Sequence, residues 1–452
     1  MRPLCLVDSE RESASSIGVR RACLAMLPVL VTLATRPARA QGLWPQQMET
    51  VQRIQATVVA GSAALAAVRA DLEAAGSRTA GAGFAPPVVL SGEMEDVPDG
   101  YDVTAASFRL EVGRELPTGG RSAAARALAA ASAELPRVRL EALERQLRAD
   151  VLLILARLVA ADGIARRLAA EDTLLLAAES STRDRFSVGE ARYMDVLRLR
   201  TERLRVQTER ATALAEGQAA LEALVGLAEP GRRAEITTLT GAFLAAAGAG
   251  QLAVLPPAPA VDSLLAMAAP VLLADAALER ARAARAVVSA EQRVRFAASL
   301  GAQRRVEPGG RSTIGPVVGG SITLPFTAGR ANRAKRIAAE RDVESAEATV
   351  ENLRARVTAA LAGAVARYEA ARERASVYDL ALLATAREER ESALAAYRTG
   401  DISLVELLDF ERSLSRAEIE RLRAQTSAIE TYANLIAPAG LNAGEELGVG
   451  GP

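Results

Sequence analysis

The sequence predicts a mainly α, internally duplicated chain with a smaller β part, in which each half joins a strand hairpin to a long helical hairpin. Three observations predict it. Apolar residues recur every seven positions over two long stretches, the period drops to two in two short ones, and both patterns return about 210 residues further on.

At the start, Arg20 and Arg21 precede an apolar run from Ala22 to Ala34, and Ala38-Arg39-Ala40 has the small-x-small form of a signal-peptidase site. Residues 1–40 therefore read as an export signal with Gln41 as the mature N-terminus, by the general route rather than the twin-arginine one. The nineteen residues ahead of the basic pair are long for such a leader, which points to a true start near Val19. Cys5 and Cys23 both lie within the leader, so the mature chain has no thiol, disulfide or lipid anchor.

Removing 1–40 takes six of 55 basic and three of 55 acidic residues, leaving 49 against 52. A near-neutral chain with 3% aromatics lacks the basic, aromatic stripe that nucleic acid needs. Without histidine or mature cysteine, the usual general base, thiol nucleophile and soft metal ligands are missing. No G-x-S-x-G motif or phosphate loop is present, and neither an enzyme nor a cofactor is expected. Beyond residue 40 no apolar run reaches the roughly 18–20 residues of a membrane helix, because 241–260 is broken by glycine and proline. A membrane could be crossed only by strands.

The elements follow in order. Residues 41–84 read as an N-terminal helix and 85–118 as a hairpin, with Phe108, Leu110 and Val112 alternating with Arg109, Glu111 and Gly113 about a turn at 97–102. Residues 119–228 form a helical hairpin whose heptads run Leu140, Leu147, Ile154, Ala161, Leu168, Leu175. Pro136 should kink or restart its first helix. A linker spans 229–260 and a helix 261–291. The second strand hairpin is 292–328, with Phe296, Ala298, Leu300 and later Ile322, Leu324, Phe326 on one face and a turn at 306–312. The second helical hairpin is 329–437, with Val343, Val350, Val357, Ala364 and Ala371 in register, and 438–452 is a tail. The long helices, Arg121–Phe186 and Arg330–Tyr397, should each reach roughly 100 Å at 1.5 Å per residue. Four strands with one greasy face cannot close a barrel, so the chain needs copies of itself.

The repeat is sharpest at two places. RFSVGEARYMDVLRLRTE (185–202) overlays AYRTGDISLVELLDFERS (396–413) with Gly189 on Gly400, Phe186 on Tyr397 and Asp195 on Glu406. LEVGRELPTGGRSAAARALAA (110–130) overlays GSITLPFTAGRANRAKRIAAE (320–340), so Pro117 and Gly120 match Pro325 and Gly329 as strand-to-helix joints. The offsets run from 208 to 211 residues. Gly189 and Gly400 sit where one helix ends and the next begins, a position for positive φ.

These segments and their duplicated order resemble the outer-membrane efflux protein family, the TolC family, over essentially the whole mature chain. Residues 90–126 are similar to its cation-efflux, CzcC-like branch. The resemblance implies a homotrimer, with four strands per chain in a twelve-stranded barrel held in outer-membrane lipid and a helical tunnel in the periplasm. It also implies a periplasmic adaptor and an inner-membrane pump, of the RND type. The cargo stays open among metal cations, toxic organics and polypeptides, and an exported coiled-coil scaffold is the competing class.

Site residues follow from the same resemblance. Glu406 and Asp409 match acids at the periplasmic constriction, where three-fold symmetry makes six carboxylates, against the plainer reading of a solvated helix face. Asp195 matches an acid beside the gate and Tyr397 a tyrosine that ties helices shut, while Gly189 and Gly400 shape adaptor-docking turns. An arginine that helps latch the family's gate is replaced by Ile402, with Arg192 near enough in sequence to substitute.

Overall fold

The structure, a computed structural model, describes residues 47–84, 86–95, 106–116, 120–247, 255–306, 311–324 and 329–437. The leader, Pro117, Pro325, the turn at 97–102, most of that at 306–312 and the tail from 438 lie outside the described residues. The mainly helical class with a small antiparallel sheet holds.

In place of one N-terminal helix there are two, α1 (Met48–Ala60) and α2 (Ala63–Gly81), bent by 59°. The bend falls at Gly61-Ser62, where the Ser62 hydroxyl caps α2 by accepting from the Leu65 amide. No single described helix is long and apolar enough to cross a bilayer.

Strands β1 (Val89–Glu95), β2 (Ser107–Glu115), β3 (Arg295–Val306) and β4 (Ser312–Thr323) form one antiparallel sheet in sequence order. The period of two sorts its faces. Leu90, Val112, Leu300 and Val318 are cross-strand partners in one line, flanked by Met94, Phe108 and Ile314, and all are exposed. On the other face Arg109 pairs with Glu93, Glu95 and Glu111, and Ser299 donates to Glu111 at 2.8 Å. Gly301 lets the strands close up here, since a Cβ on it would meet the Leu110 carbonyl at 2.1 Å. An outer apolar face and an inner ionic one are what lipid and water on opposite sides require.

Gly120, left-handed at φ 77°, turns the chain from β2 into α3 (Arg121–Ser187), and Arg121 forms an ion pair back to Glu115. Of the two outcomes expected at Pro136 the restart does not occur, for α3 is one continuous helix through it. The backbone hydrogen bond that Pro136 cannot donate to the Ser132 carbonyl is offset by packing just beyond it, where Val138 and Ala142 are buried. Helix α4 (Tyr193–Gly226) returns along α3, burying Leu199, Val206 and Ala213 against Leu168 and Leu175. Its end meets the α1–α2 bend, where the Glu229 amide donates to the Gly61 carbonyl at 2.8 Å. Two short helices thus stack end to end beside one long one.

The stretch 229–260 is not bare linker, for it holds a 3₁₀ turn and α5 (Arg233–Ala247), which buries Ile236 and Phe243. Next come α6 (Val261–Leu265) and α7 (Ala269–Glu291) in place of one helix. Helix α8 (Gly329–Val377) starts the second helical hairpin, and Gly329 is its first residue. A π-turn at Tyr378–Leu382, which the heptads do not announce, leads into α9 (Leu383–Thr399). Helix α10 (Leu404–Ile436) returns beside α8, α9 and α3. At the level of α5 a core gathers both repeats around fully buried Tyr368, whose ring lies 5.2 Å from that of Tyr432.

Candidate functional site at the helical turns

The two turns at the far end of the hairpins are built alike. Gly189 and Gly400 both have φ 84°. The Gly189 amide donates to Phe186 and the Glu190 amide to Arg185; the Gly400 amide donates to Tyr397 and the Asp401 amide to Ala396. Both follow the Schellman pattern, which needs a residue at positive φ, and space around each Cα is open. Chemically the turns differ. The first exposes Phe186, Val188, Tyr193 and Met194, with the Phe186 and Tyr193 rings 5.5 Å apart, while the second carries Thr399 and Asp401.

Glu406 has a local duty. Ser403 caps α10, its hydroxyl accepting from the Glu406 amide, while the Glu406 carboxylate accepts from the Ser403 amide at 2.7 Å. That backbone hydrogen bond, with the Ser403 side chain, holds the carboxyl below its ordinary range. Asp409 is also engaged: Arg412 donates to it at 2.8 Å and reaches Glu202 on α4 at 3.4 Å. Both acids are exposed in the single chain.

Asp195 and Tyr397 are not brought together by any hydrogen bond or ion pair among the described residues. The Arg192 side chain, at the N-cap of α4, makes none either among the described residues, although its carbonyl accepts from the Asp195 amide at 3.0 Å. Ile402 lines a cleft with Thr385, Glu388, Ala396 and Phe410. The hairpins are joined instead by residues that the sequence did not single out. Besides Arg412–Glu202, Arg167 on α3 meets Glu418 on α10 at 3.0 Å and Ser415 donates to Glu171, while inside the second hairpin Arg390 on α9 meets Glu411 at 2.6 Å. Within the first hairpin, buried Glu179 is held by Arg183 and by Arg203 at 2.6 Å. The only advance signal was a charged residue falling on a heptad's apolar side, as Glu171 and Glu179 do.

A sheet with one apolar and one ionic face is thus continued by two long helical hairpins that end in matched turns. The comparisons with known proteins agree. Residues 260–441 match the family model described as outer membrane efflux protein. The outer-membrane channel OprN is 20% identical with a TM-score of 0.66, over 89% of this chain and 93% of its own. VceC, an outer membrane protein of Vibrio cholerae, is 17% identical with a TM-score of 0.67, over 89% and 98%. The CmeC outer membrane channel of Campylobacter jejuni is 13% identical with a TM-score of 0.65, over 94% of each. No curated protein matches the sequence. The chain has the fold of the outer-membrane efflux channels, and its second half carries that family's sequence pattern.

Proposed function

We propose that the chain, exported by the leader 1–40, is one third of a homotrimeric exit duct of a tripartite efflux system. Its four strands and those of two copies close a twelve-stranded barrel in the outer membrane, and its hairpins line a periplasmic tunnel. The observation that carries this reading is the two-faced sheet, because Leu90, Val112, Leu300 and Val318 in one exposed line suit lipid and not water. An exported coiled-coil scaffold has no use for such a sheet.

The turns at Gly189 and Gly400 receive the helical hairpins of a periplasmic adaptor, which links the duct to an inner-membrane pump of the RND type. The apolar first turn and the Ile402 cleft beside the second supply the docking surface. Glu406, Asp409 and Asp195 line the constriction, and Tyr397 stands beside them. The likeness of 90–126 to the cation-efflux branch makes heavy-metal cations the first cargo to test, ahead of organic compounds and secreted polypeptides.

The test is planar-bilayer conductance of the purified protein against Glu406→Gln with Asp409→Asn. Cation preference and block by multivalent cations should both fall in the double variant. Unchanged values would leave the two acids with only their capping and pairing duties.

A further inference from the structure

Near the turns the helices stand in a row, α4 beside α3, α3 beside α10 and α10 beside α9. The end helices each have a second apolar side. Helix α4 faces α3 with Leu199, Val206 and Ala213, yet Leu197, Leu204 and Ala211 repeat the heptad on its opposite side, flanked by Leu214. Leu204 and Leu214 are each 55% exposed. At the other end, Tyr378, Leu383 and Ala386 face α10, while Leu380 in the π-turn points away from it. At 79% exposure Leu380 is the most exposed large apolar side chain in the described helices.

Levels and charges match as well. At 1.5 Å per residue, Leu380 stands about 28 Å above the end of α9 and Leu214 about 32 Å above the start of α4. Lower on the same two faces, Glu391 and Arg200 lie about 12 and 11 Å from those ends. Neither has an ion pair among the described residues, and both are exposed.

Resting on the trimeric reading above, we infer that the seam between copies is keyed by the π-turn: Leu380 of one copy seats beside Leu214 and over Ala211 on α4 of the next, with Glu391 against Arg200 below. The occupant is a second copy of this chain, because a row whose two ends carry matching stripes closes on itself. The extra helical width of the π-turn sets Leu380 out as a knob, and the small Ala211 between Leu204 and Leu214 leaves the hole.

The experiment places Leu214→Cys and Leu380→Cys together in the full-length protein with Cys5 and Cys23 replaced by alanine. The purified protein is treated with a short bis-maleimide. Covalent dimers and trimers should form in the double variant and in neither single variant. Trimers by light scattering without covalent product would overturn the seam and leave the trimer standing; a monomer in detergent would overturn the trimeric reading itself. In parallel, Arg200→Glu should lower the temperature at which trimers dissociate in SDS, and adding Glu391→Arg should restore it. Lack of restoration overturns the ionic contact.

Discussion

Ser415 on α10 donates its hydroxyl to Glu171 on α3 at 2.5 Å, and both side chains are buried at the seam between the two hairpins. Removing the donor leaves a buried carboxylate short of a partner, which costs about 1–3 kcal/mol. Ser415→Ala should therefore lower the thermal midpoint of the detergent-solubilised protein, while Ser415→Thr, which keeps the hydroxyl, should move it less. Equal midpoints for alanine and the parent would show the bond to be dispensable.

Arg412 ties the same hairpins nearer the turns, between Asp409 and Glu202. Arg412 and Glu202 lie 3.4 Å apart and each keeps some contact with water, so the expected coupling between them is about 1 kcal/mol. A double-mutant cycle of Arg412→Ala and Glu202→Ala measures it. In bilayers the same variants should conduct more, since a link across the hairpins is gone; conductance equal to the parent's would confine Arg412 to stability.

Tyr368 holds the central core to the segment before α6, its hydroxyl donating to the Pro256 carbonyl at 2.5 Å. Tyr368→Phe should cost about 1 kcal/mol. Burial, with Tyr432 beside it, pushes the phenol up to about 12 from an ordinary value of 10. The folded state thus prefers the protonated phenol. Its contribution is complete below pH 10 and is lost as pH rises towards 12, by roughly 2–3 kcal/mol. Urea midpoints across that range should fall more steeply for the parent than for the phenylalanine variant.

Glu406 has the opposite sign, because its carboxylate is held below the ordinary value by the Ser403 amide. Its contribution is present above the ordinary carboxyl value and disappears as pH falls below it, through the folded value. The protection of the Ser403 amide, its exchange rate measured against the intrinsic rate at each pH, should fall on acidification in the parent. Glu406→Gln can keep the capping geometry without a titrating group, so its exchange should lose that added acid dependence.

Gly189 and Gly400 share φ 84° and open surroundings, so an added side chain meets strain in the backbone and not a clash. Alanine at either position should destabilise by about 1–2 kcal/mol, and asparagine by less. Leucine should also abolish export with trimers intact, if the turns receive the adaptor; normal export by both leucine variants would leave only the capping role.

What the sequence disclosed depended on periodicity. Heptads and alternation repeat over many residues, so the helical hairpins, the strands and the matched glycines could be read directly. Single local events could not. The bend at Gly61, the π-turn at Tyr378–Leu382 and the passage of α3 through Pro136 each turn on one or two backbone hydrogen bonds that tertiary packing decides. The acids were visible as residues, but their partners were not. Nothing in the spacing of Asp409 foretold that Arg412 would also reach Glu202, on a helix two hundred residues away.

The two repeats differ slightly in length between their landmark glycines. Gly120 to Gly189 spans 69 positions and Gly329 to Gly400 spans 71, although the sheet anchors both long helices at one end. Two surplus residues of α-helix amount to about 3 Å. The π-turn, where each backbone bond closes a wider loop, can take up about one of them. In mechanical terms the first strut is a single α-helix and the second has a wide turn within it. Axial tension on the second turn would be absorbed by drawing the wide turn straight, so a pull there need not disturb the sheet, whereas the same pull on the first turn passes directly along α3 to Gly120.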